Sequence, residues 1–532
     1  MYYENIIIGG GPAGIQLSYF FEKNKINYIV LEASEHCASF FYKYPHSSKL
    51  ISINKKYTGK DDPDFNMRHD WNSLLNDESF LFNESTEDYY PDSKYLYEYI
   101  NKFKETNNLN VKFNSKVNKI HKSSDNKYRI LLENEEYICK NLIIATGLSK
   151  MNKPNYKINT NKEIKHYGEF EKEFFLNKNN LEKYKNKKIL IIGSGNAAYE
   201  LANILNNYTS SILILGKQRE YSIVSHYAGD LRSIYYPFLD TFFLKSLNAI
   251  DQINYEENSF FISGINEIKE IDNKNYGKLY LTYNNNKLYE NDEINYYDEI
   301  ILCTGWKFNK DIFSFNINYT INDKYPGIKA NYESINNDNL FFIGSIMHSL
   351  DYRKSSGGFI HGFRYLIKLF TQINYNDIIP FEIKKFKFNG TLDFYEDLCK
   401  HILYRINNSA SLYQMFGTMC DLFYYDKNSK EIIYYNNLTK NYINNMMKDL
   451  PKFYNIVQLD YGEKEYDIRK ISKFNKYNPT FIHPEILIIE KNNDNFKLSD
   501  KIIIEEDLFA DFSNKKYKDK ILRTIKGCNL II

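Results

Sequence analysis

The sequence predicts an α/β chain built on two Rossmann-like dinucleotide-binding domains, one inserted in the other, with a mixed α/β extension behind them. Three observations predict it. A strand, a glycine turn and a helix open the chain in "NIIIGGGPAGIQLSYFF" (5–21). The same order returns in "KILIIGSGNAAYELANIL" (188–205). Two apolar runs, "NLIIATG" (141–147) and "EIILCTG" (299–305), end in Thr-Gly and flank the second fingerprint, where the chain would cross between the two domains.

The first fingerprint reads element by element. Asn5–Ile8 is a buried strand, Gly9, Gly11 and Gly14 fit G-x-G-x-x-G, and an amphipathic helix runs to about Lys23. The second strand, "NYIVLE", ends in Glu32, near the spacing of about 20 residues at which an acid accepts ribose hydroxyls. The first glycine makes the turn, the second lets the backbone approach a pyrophosphate, and the third lets helix and strand pack closely. The helix N-terminus then faces the phosphates. Pro12 and Ala13 inside the turn mark the variant that goes with FAD rather than NAD. Val117, Thr146 and Gly147 complete the expected FAD contacts of this first part.

In the second fingerprint Gly193, Ser194, Gly195, Asn196, Ala197 and Ala198 form G-x-G-x-x-A after the strand Ile189–Ile192. The next strand, "SILILG", leads not to an acid but to Gly216-Lys217-Gln218-Arg219. An acid there repels a 2′-phosphate, whereas Lys217 and Arg219 pair with it. The second site is therefore expected to hold NADPH, with Thr304 and Gly305 at its crossing; the alternative is that the two cations only solvate a turn. Two dinucleotide sites in one chain imply that NADPH passes hydride to FAD.

The return to the flavin is expected at "NLFFIGSI" (339–346), where Gly344 and Ser345 end a strand, and at Gly358 and Phe359 before an amphipathic helix. These segments divide the chain into a discontinuous FAD domain (1–155 and 300–375), an NADPH domain (156–299) and an extension (376–532). The extension shows helical patterns around Asp393–Arg405 and Lys440–Lys448 and apolar strands at "EILIIE" and "KIIIEE".

The totals exclude several classes. With 43% hydrophobic and 26% charged residues and a net charge of +2, the composition is that of a globular protein without a basic field for nucleic acid. No apolar run approaches the roughly 20 residues of a membrane span. A strand at residues 5–8 and the tail "GCNLII" leave no expected targeting signal, so the cytoplasm is the expected compartment. Six scattered cysteines form no C-x-x-C, and ten histidines form no metal-binding pair, so neither a disulfide framework nor a metal is expected.

With these residues assigned, the chain resembles the flavin-containing monooxygenase superfamily. It is most similar to the FAD-dependent oxidoreductase domain-containing branch, that of the endoplasmic-reticulum flavoprotein associated with degradation. The phrases that carry the resemblance are "KLISINKKYTG" (49–59), "MRHDWNSLL" (67–75), "YYPDSKYLYEYI" (89–100) and "GSGNAAYELAN" (193–203). Further along are "SHYAGDLRSIYYPFLDTFFLKSL" (225–247), "DYRKSSGGFIHGFRY" (351–365) and "LYQMFGTMCDL" (412–422). The chain departs from the pattern where Ser345 replaces the usual aspartate, and the monooxygenase phrase F-x-G-x-x-x-H-x-x-x-Y/F survives only as His166 to Phe170. A secretory signal and retention tail like those of the vertebrate members are not expected here, so that compartment and those partners are not expected to transfer.

The resemblance implies a monooxygenase in which a C4a-hydroperoxyflavin oxygenates a small molecule with molecular oxygen, a polar amine or amino acid being the first candidate. Asn54 is the candidate amide guarding that adduct. In "RHDWN", Trp71 would pack on flavin or nicotinamide while His69 and Asp70 manage protons; a satisfied polar turn explains the same residues. Arg353 and Lys354 would hold an acidic substrate or the flavin N1 charge, beside a helix start capped by Ser355 or Ser356. His226, Asp230 and Arg232 fit NADPH, substrate or a plain surface loop. The alternatives are an NADPH oxidoreductase or oxidase without oxygen insertion, and a flavin-bound interaction module with the extension as its partner surface.

Overall fold

The computed structural model describes residues 1–77, 80–154, 157–193, 195–215, 265–271, 278–283, 296–320, 324–352, 354–387, 392–460, 482–492, 495–505 and 511–527. Strand β1 (Tyr2–Ile8), helix α1 (Pro12–Lys23) and strand β2 (Tyr28–Leu31) form the predicted first unit. Ile6, Ile7 and the whole of β2 are buried, as parallel strands covered on both faces must be. Helix α2 (Ser93–Thr106) starts where the Asp92 carboxylate accepts from the Lys94 N–H. Strands β3 (Val111–Lys112), β4 (Lys119–Lys122), β5 (Tyr128–Leu131) and β6 (Glu136–Ile144) complete the sheet order β3-β2-β1-β6-β5-β4. One long strand does two jobs: β6 pairs antiparallel with β5 at its start and parallel with β1 through Ile8↔Ile144.

The second unit carries strand β7 (Lys188–Ile192), helix α3 (Asn196–Leu205), strand β8 (Ser211–Leu215) and strand β9 (Glu299–Leu302). Its parallel sheet runs β8-β7-β9 and then Lys165–His166. The chain then returns to the first sheet, where β10 (Leu340–Phe342) pairs with β6 at Leu142–Ile144 and α4 (Ile360–Asn374) packs on α1. The crossings out and back are paired with each other, Lys150–Met151 antiparallel to Trp306–Lys307.

The extension comprises β11 (Ile383–Lys387), α5 (Leu392–Asn408), α6 (Ala410–Gln414), β12 (Met419–Asp426), β13 (Glu431–Thr439), β14 (Phe453–Asp460), β15 (His483–Asn492), β16 (Asn495–Ile503) and α7 (Lys515–Gly527). Its six strands form one antiparallel sheet in the order β11-β13-β12-β14-β15-β16. The apolar core of the first unit, around Ile143, Phe342, Ile367 and Phe370, runs without a break into Leu398, Ile402, Met415, Phe423 and Val457 of this extension. The second unit has a core of its own, built on Ile189, Ile191, Leu201, Leu205 and Ile301.

Buried arginines seal the shared core. Arg68 donates to the Ser409 carbonyl at 3.3 Å and the Ile406 carbonyl at 2.9 Å, between the rings of Phe65 and Tyr413. Arg405, 5% exposed, donates to both Asp421 oxygens at 2.7 and 3.0 Å, and Asp421 also accepts from the Tyr434 hydroxyl. Removing one partner of such a pair strands the other charge in the core. Arg405→Ala is expected to cost about 3–5 kcal/mol, read as a drop in the denaturation midpoint of the purified protein.

Candidate active site: two glycine cradles and the crossing between them

Both fingerprints fold into the same backbone shape. Gly9 (φ +108°) and Gly193 (φ +113°) turn out of their strands in the left-handed region that favours glycine. A side chain on Gly9 would lie 2.8 Å from the Ala145 carbonyl oxygen, and one on Gly193 would lie 2.2 Å from the Cys303 carbonyl oxygen. The residue before each Thr-Gly therefore floors each cradle, and Thr146, Gly147, Thr304 and Gly305 sit at the two mouths. Neither α1 nor α3 carries a side-chain cap at its N-terminus. First-turn N–H groups and the helix dipole thus face whatever enters.

The residues fit dinucleotides. The positions that a side chain would take at Gly11 and Gly195 have nothing within 4 Å, which is the open path a pyrophosphate needs. Glu32 stands at the end of β2 with one oxygen accepting from Gly10 N–H at 2.6 Å and the other from Ser34 N–H at 2.9 Å. That pins the carboxylate beside the turn and leaves lone pairs for ribose hydroxyls. Gly344 packs on Ala13, and the Ser345 hydroxyl lies beside Gly147, so the late return reaches the first cradle. Val117 packs on the first core near Glu32, whose carbonyl accepts from Ser115 N–H. Phe359 caps α4, half exposed, and its ring stacks on His361, which stacks in turn on Trp71 at 4.2 Å. The helix start is therefore at Phe359, not at Ser355 or Ser356.

The crossing is clasped by Asn152, whose N–H donates to the Gly305 carbonyl at 2.9 Å and whose carbonyl accepts from the Thr304 hydroxyl. His166 closes the same corner: Nδ1 accepts from Gly168 N–H at 3.0 Å, and Nε2 lies 3.1 Å from the Gly305 carbonyl.

Several expected catalytic residues have architectural tasks. Asn54 uses its amide N–H groups on the Thr86 and Asp88 carbonyls at 2.9 and 3.2 Å. The Asp70 carboxylate accepts from the Asn72 and Ser73 N–H groups at 3.0 and 2.9 Å and from the Ser73 hydroxyl. Trp71 Nε1 donates to the Arg68 carbonyl. "RHDWN" is thus a satisfied polar turn with a packed indole. The corresponding reading of 348–358 is also structural in part: Asp351 accepts from His348 Nδ1 at 3.0 Å, from the Ser355 hydroxyl and from Gly357 N–H at 3.1 Å. His348 lies beside Gly358, a carboxylate-held imidazole that sequence reading passed over; the D-x-x-x-S-x-G spacing was its signal. Ser194, Lys217, Arg219, His226, Asp230, Arg232 and Arg353 lie outside the described residues.

All five described cysteines are free and buried. Burial pushes the Cys37 thiol up to about 12 and the Cys399 thiol up to about 11. It raises Cys139, Cys303 and Cys420 as well. None is a thiolate at neutral pH. Among the described residues no helix is long and apolar enough to cross a membrane.

Two dinucleotide cradles in series, joined by a paired crossing, define a pyridine-nucleotide oxidoreductase of the two-dinucleotide type. The profile of the pyridine nucleotide-disulphide oxidoreductase family matches residues 6–344, and the chain belongs to that family. By that family it is an oxidoreductase that works with a pyridine nucleotide. The chain is 32% identical over 456 residues to FAD-dependent oxidoreductase domain-containing protein 2 of Mus musculus. It is 30% identical over 462 residues to the protein of the same name in Danio rerio. These alignments take in 80% and 79% of the chain but 65% of each relative's length. A flavin-containing monooxygenase from Stenotrophomonas maltophilia superposes with a TM-score of 0.49 at 13% identity, over 70% of this chain and 99% of that one.

Two outcomes follow from the geometry. Gly14→Ala would place a methyl 2.0 Å from the Gly9 carbonyl oxygen. The variant should purify colourless or with well under the wild-type flavin content, read from visible absorbance. His69 and His401 are both depressed to about 4, chiefly by burial, with Arg68 and Lys55 adding at His69 and Lys384 at His401. Unfolded imidazoles protonate near about 6.5, so between about 6.5 and about 4 the unfolded chain binds more protons than the folded one. Stability should fall as pH drops through that window, and His69→Gln should flatten the slope of denaturant melts stepped across it.

Proposed function

We propose that the chain transfers hydride from NADPH at the second cradle to FAD at the first, and that these two electrons then reduce molecular oxygen, one atom entering a small nucleophilic substrate and the other leaving as water. A polar amine or amino acid is the first class to test. The observation that supports an oxygen outlet is the state of the cysteines. A disulfide acceptor requires a thiolate beside the flavin, and the five described thiols are buried and protonated. Bound FAD supplies a two-electron acceptor that passes electrons onward one substrate at a time.

The chain's own residues bind, orient and exclude water. The first-turn N–H groups of α1 hold the pyrophosphate, and Glu32 accepts the ribose hydroxyls. Lys217 and Arg219 are proposed as the 2′-phosphate partners on charge alone. His69, neutral at working pH, stands as a packing group rather than an acid. His348, fixed by Asp351, is the better placed imidazole for a proton at the flavin side. The core shared between the first unit and the extension favours an enzyme body over a detachable interaction module. Buried free thiols agree with a reducing compartment, and we place the enzyme in the cytoplasm.

The test is a balance sheet on the purified yellow protein: NADPH oxidised, oxygen taken up and hydrogen peroxide released, across a panel of amines and thioethers. Peroxide should fall well below NADPH oxidised when a substrate is present, with an oxygenated product of matching amount. Peroxide equal to NADPH for every compound overturns oxygen insertion and leaves the oxidase reading. A flavin that NADPH does not reduce overturns the second cradle's assignment.

A further inference from the structure

The second unit is held against the first by a buried carboxylate. Glu200 is the fifth residue of α3, the helix whose N-terminus forms the second cradle, and it is 2% exposed. One carboxylate oxygen accepts from the hydroxyl of Tyr167 and the other from the hydroxyl of Ser47, a residue of the first unit. Burial and the neighbouring Glu200 charge raise the Tyr167 phenol far above its ordinary range, so it stays a donor. The same phenol oxygen accepts from the His46 backbone N–H at 3.0 Å. His46 Nε2 donates in turn to the Tyr167 carbonyl at 3.0 Å, which fixes the neutral Nε2–H tautomer. Burial depresses the His46 pKa and keeps it in that form.

Aromatic packing surrounds this junction. His46 packs on Tyr167 at 4.4 Å and on Phe175 at 5.0 Å. Tyr44 donates to the Gly168 carbonyl at 2.6 Å and packs on Trp306, which begins the return crossing. An apolar pair would fill the same space without the cost of desolvating a carboxylate. What an apolar pair lacks is direction: two hydroxyls from two different units, each aimed at one oxygen, set an angle between them.

We propose that Glu200 is a positioning residue that seats the NADPH-cradle helix on the first unit, and so sets how the nicotinamide meets the flavin. The inference rests on the hydride-transfer reading above. The chain holds two tryptophans, Trp71 and Trp306. Trp71→Phe therefore leaves Trp306 as a reporter inside the junction itself, and the fluorescence arm is run in that background while the kinetic arm keeps Trp71.

Glu200→Ala should red-shift Trp306 emission and raise its acrylamide quenching in the holoenzyme. At saturating NADPH it should slow anaerobic flavin reduction by about tenfold or more, since reaction geometry is lost faster than binding. The NADPH dissociation constant should move by less than about threefold, because Glu200 is turned to Ser47 and Tyr167 rather than to the open cradle. Glu200→Gln, which keeps an acceptor, should recover most of both signals. Tyr167→Phe removes one oxygen, keeps the ring packing and should give a smaller effect of the same sign if the alanine variant fails to fold.

An unchanged Trp306 environment in Glu200→Ala overturns the proposal. So does a changed environment with an unchanged limiting reduction rate. Should NADPH fail to reduce the wild-type flavin, the functional reading falls, and the Trp306 signal alone then upholds or overturns the seat.

Discussion

Both dinucleotide folds depend on a carbonyl occupying the place where a side chain would sit. At Gly9 and Gly193 the chain leaves its strand against the backbone oxygen of the residue just after the neighbouring strand, Ala145 in one case and Cys303 in the other. That contact fixes the angle between strand and helix. It aims the first-turn N–H groups of α1 and α3 into the cradles and places the Thr-Gly dipeptides at their mouths. The crossing follows from it, because the chain segments leaving Thr146 and Thr304 emerge side by side and pair as Lys150–Met151 with Trp306–Lys307. A single backbone constraint used twice thereby organises the two cradles and the crossing between them.

The polar interior has a different logic. "MRHDWNSLL" carries a cation, an imidazole, a carboxylate and an indole, the mixture from which catalytic sites are made. Here it is a docking hub. Arg68 reaches the extension, Arg364 of α4 donates to the Met67 and Ser73 carbonyls, and Gln414 donates to the Arg68 carbonyl. A turn without regular secondary structure leaves its carbonyls unpaired, and burying it requires donors from elsewhere. Long planar guanidinium groups supply several donors each from one side chain. The seam between the extension and the first unit is thus closed by Arg68 from one side and Gln414 from the other.

What the sequence disclosed and what it hid divide along the same line. Gly9 to Gly14, Glu32, Gly193 to Ala198 and the Thr-Gly ends are legible because each answers a constraint set within a few residues or at a fixed strand spacing. The amphipathic pattern at 393–405 likewise became α5, read to within a few residues. The tasks of Asn54 and Asp70 and the start of α4 were less legible because their partners are fixed by the tertiary fold. The Arg68 contact with Ser409 spans 341 positions, and nothing near either residue announces the other. The clasp of Glu200 is of the same kind: a glutamate on an amphipathic helix reads as solvent-facing until Ser47 and Tyr167 close over it.

The cysteines join the family's chemistry to this chain's. The family takes part of its name from disulphides, yet the five described thiols sit where small apolar side chains sit: Cys139 on β6, Cys303 just after β9, Cys420 on β12. Thiols raised by burial behave as small hydrophobes. What this chain keeps is the part fixed by backbone geometry, two cradles and a paired crossing that bring one nucleotide to the other. Around the late return the chain adds side chains to that backbone frame: a carboxylate-held imidazole at His348 and an aromatic stack of Trp71, His361 and Phe359. Neither group is a redox centre, so what they add to the cradles is packing and charge rather than a further acceptor of electrons.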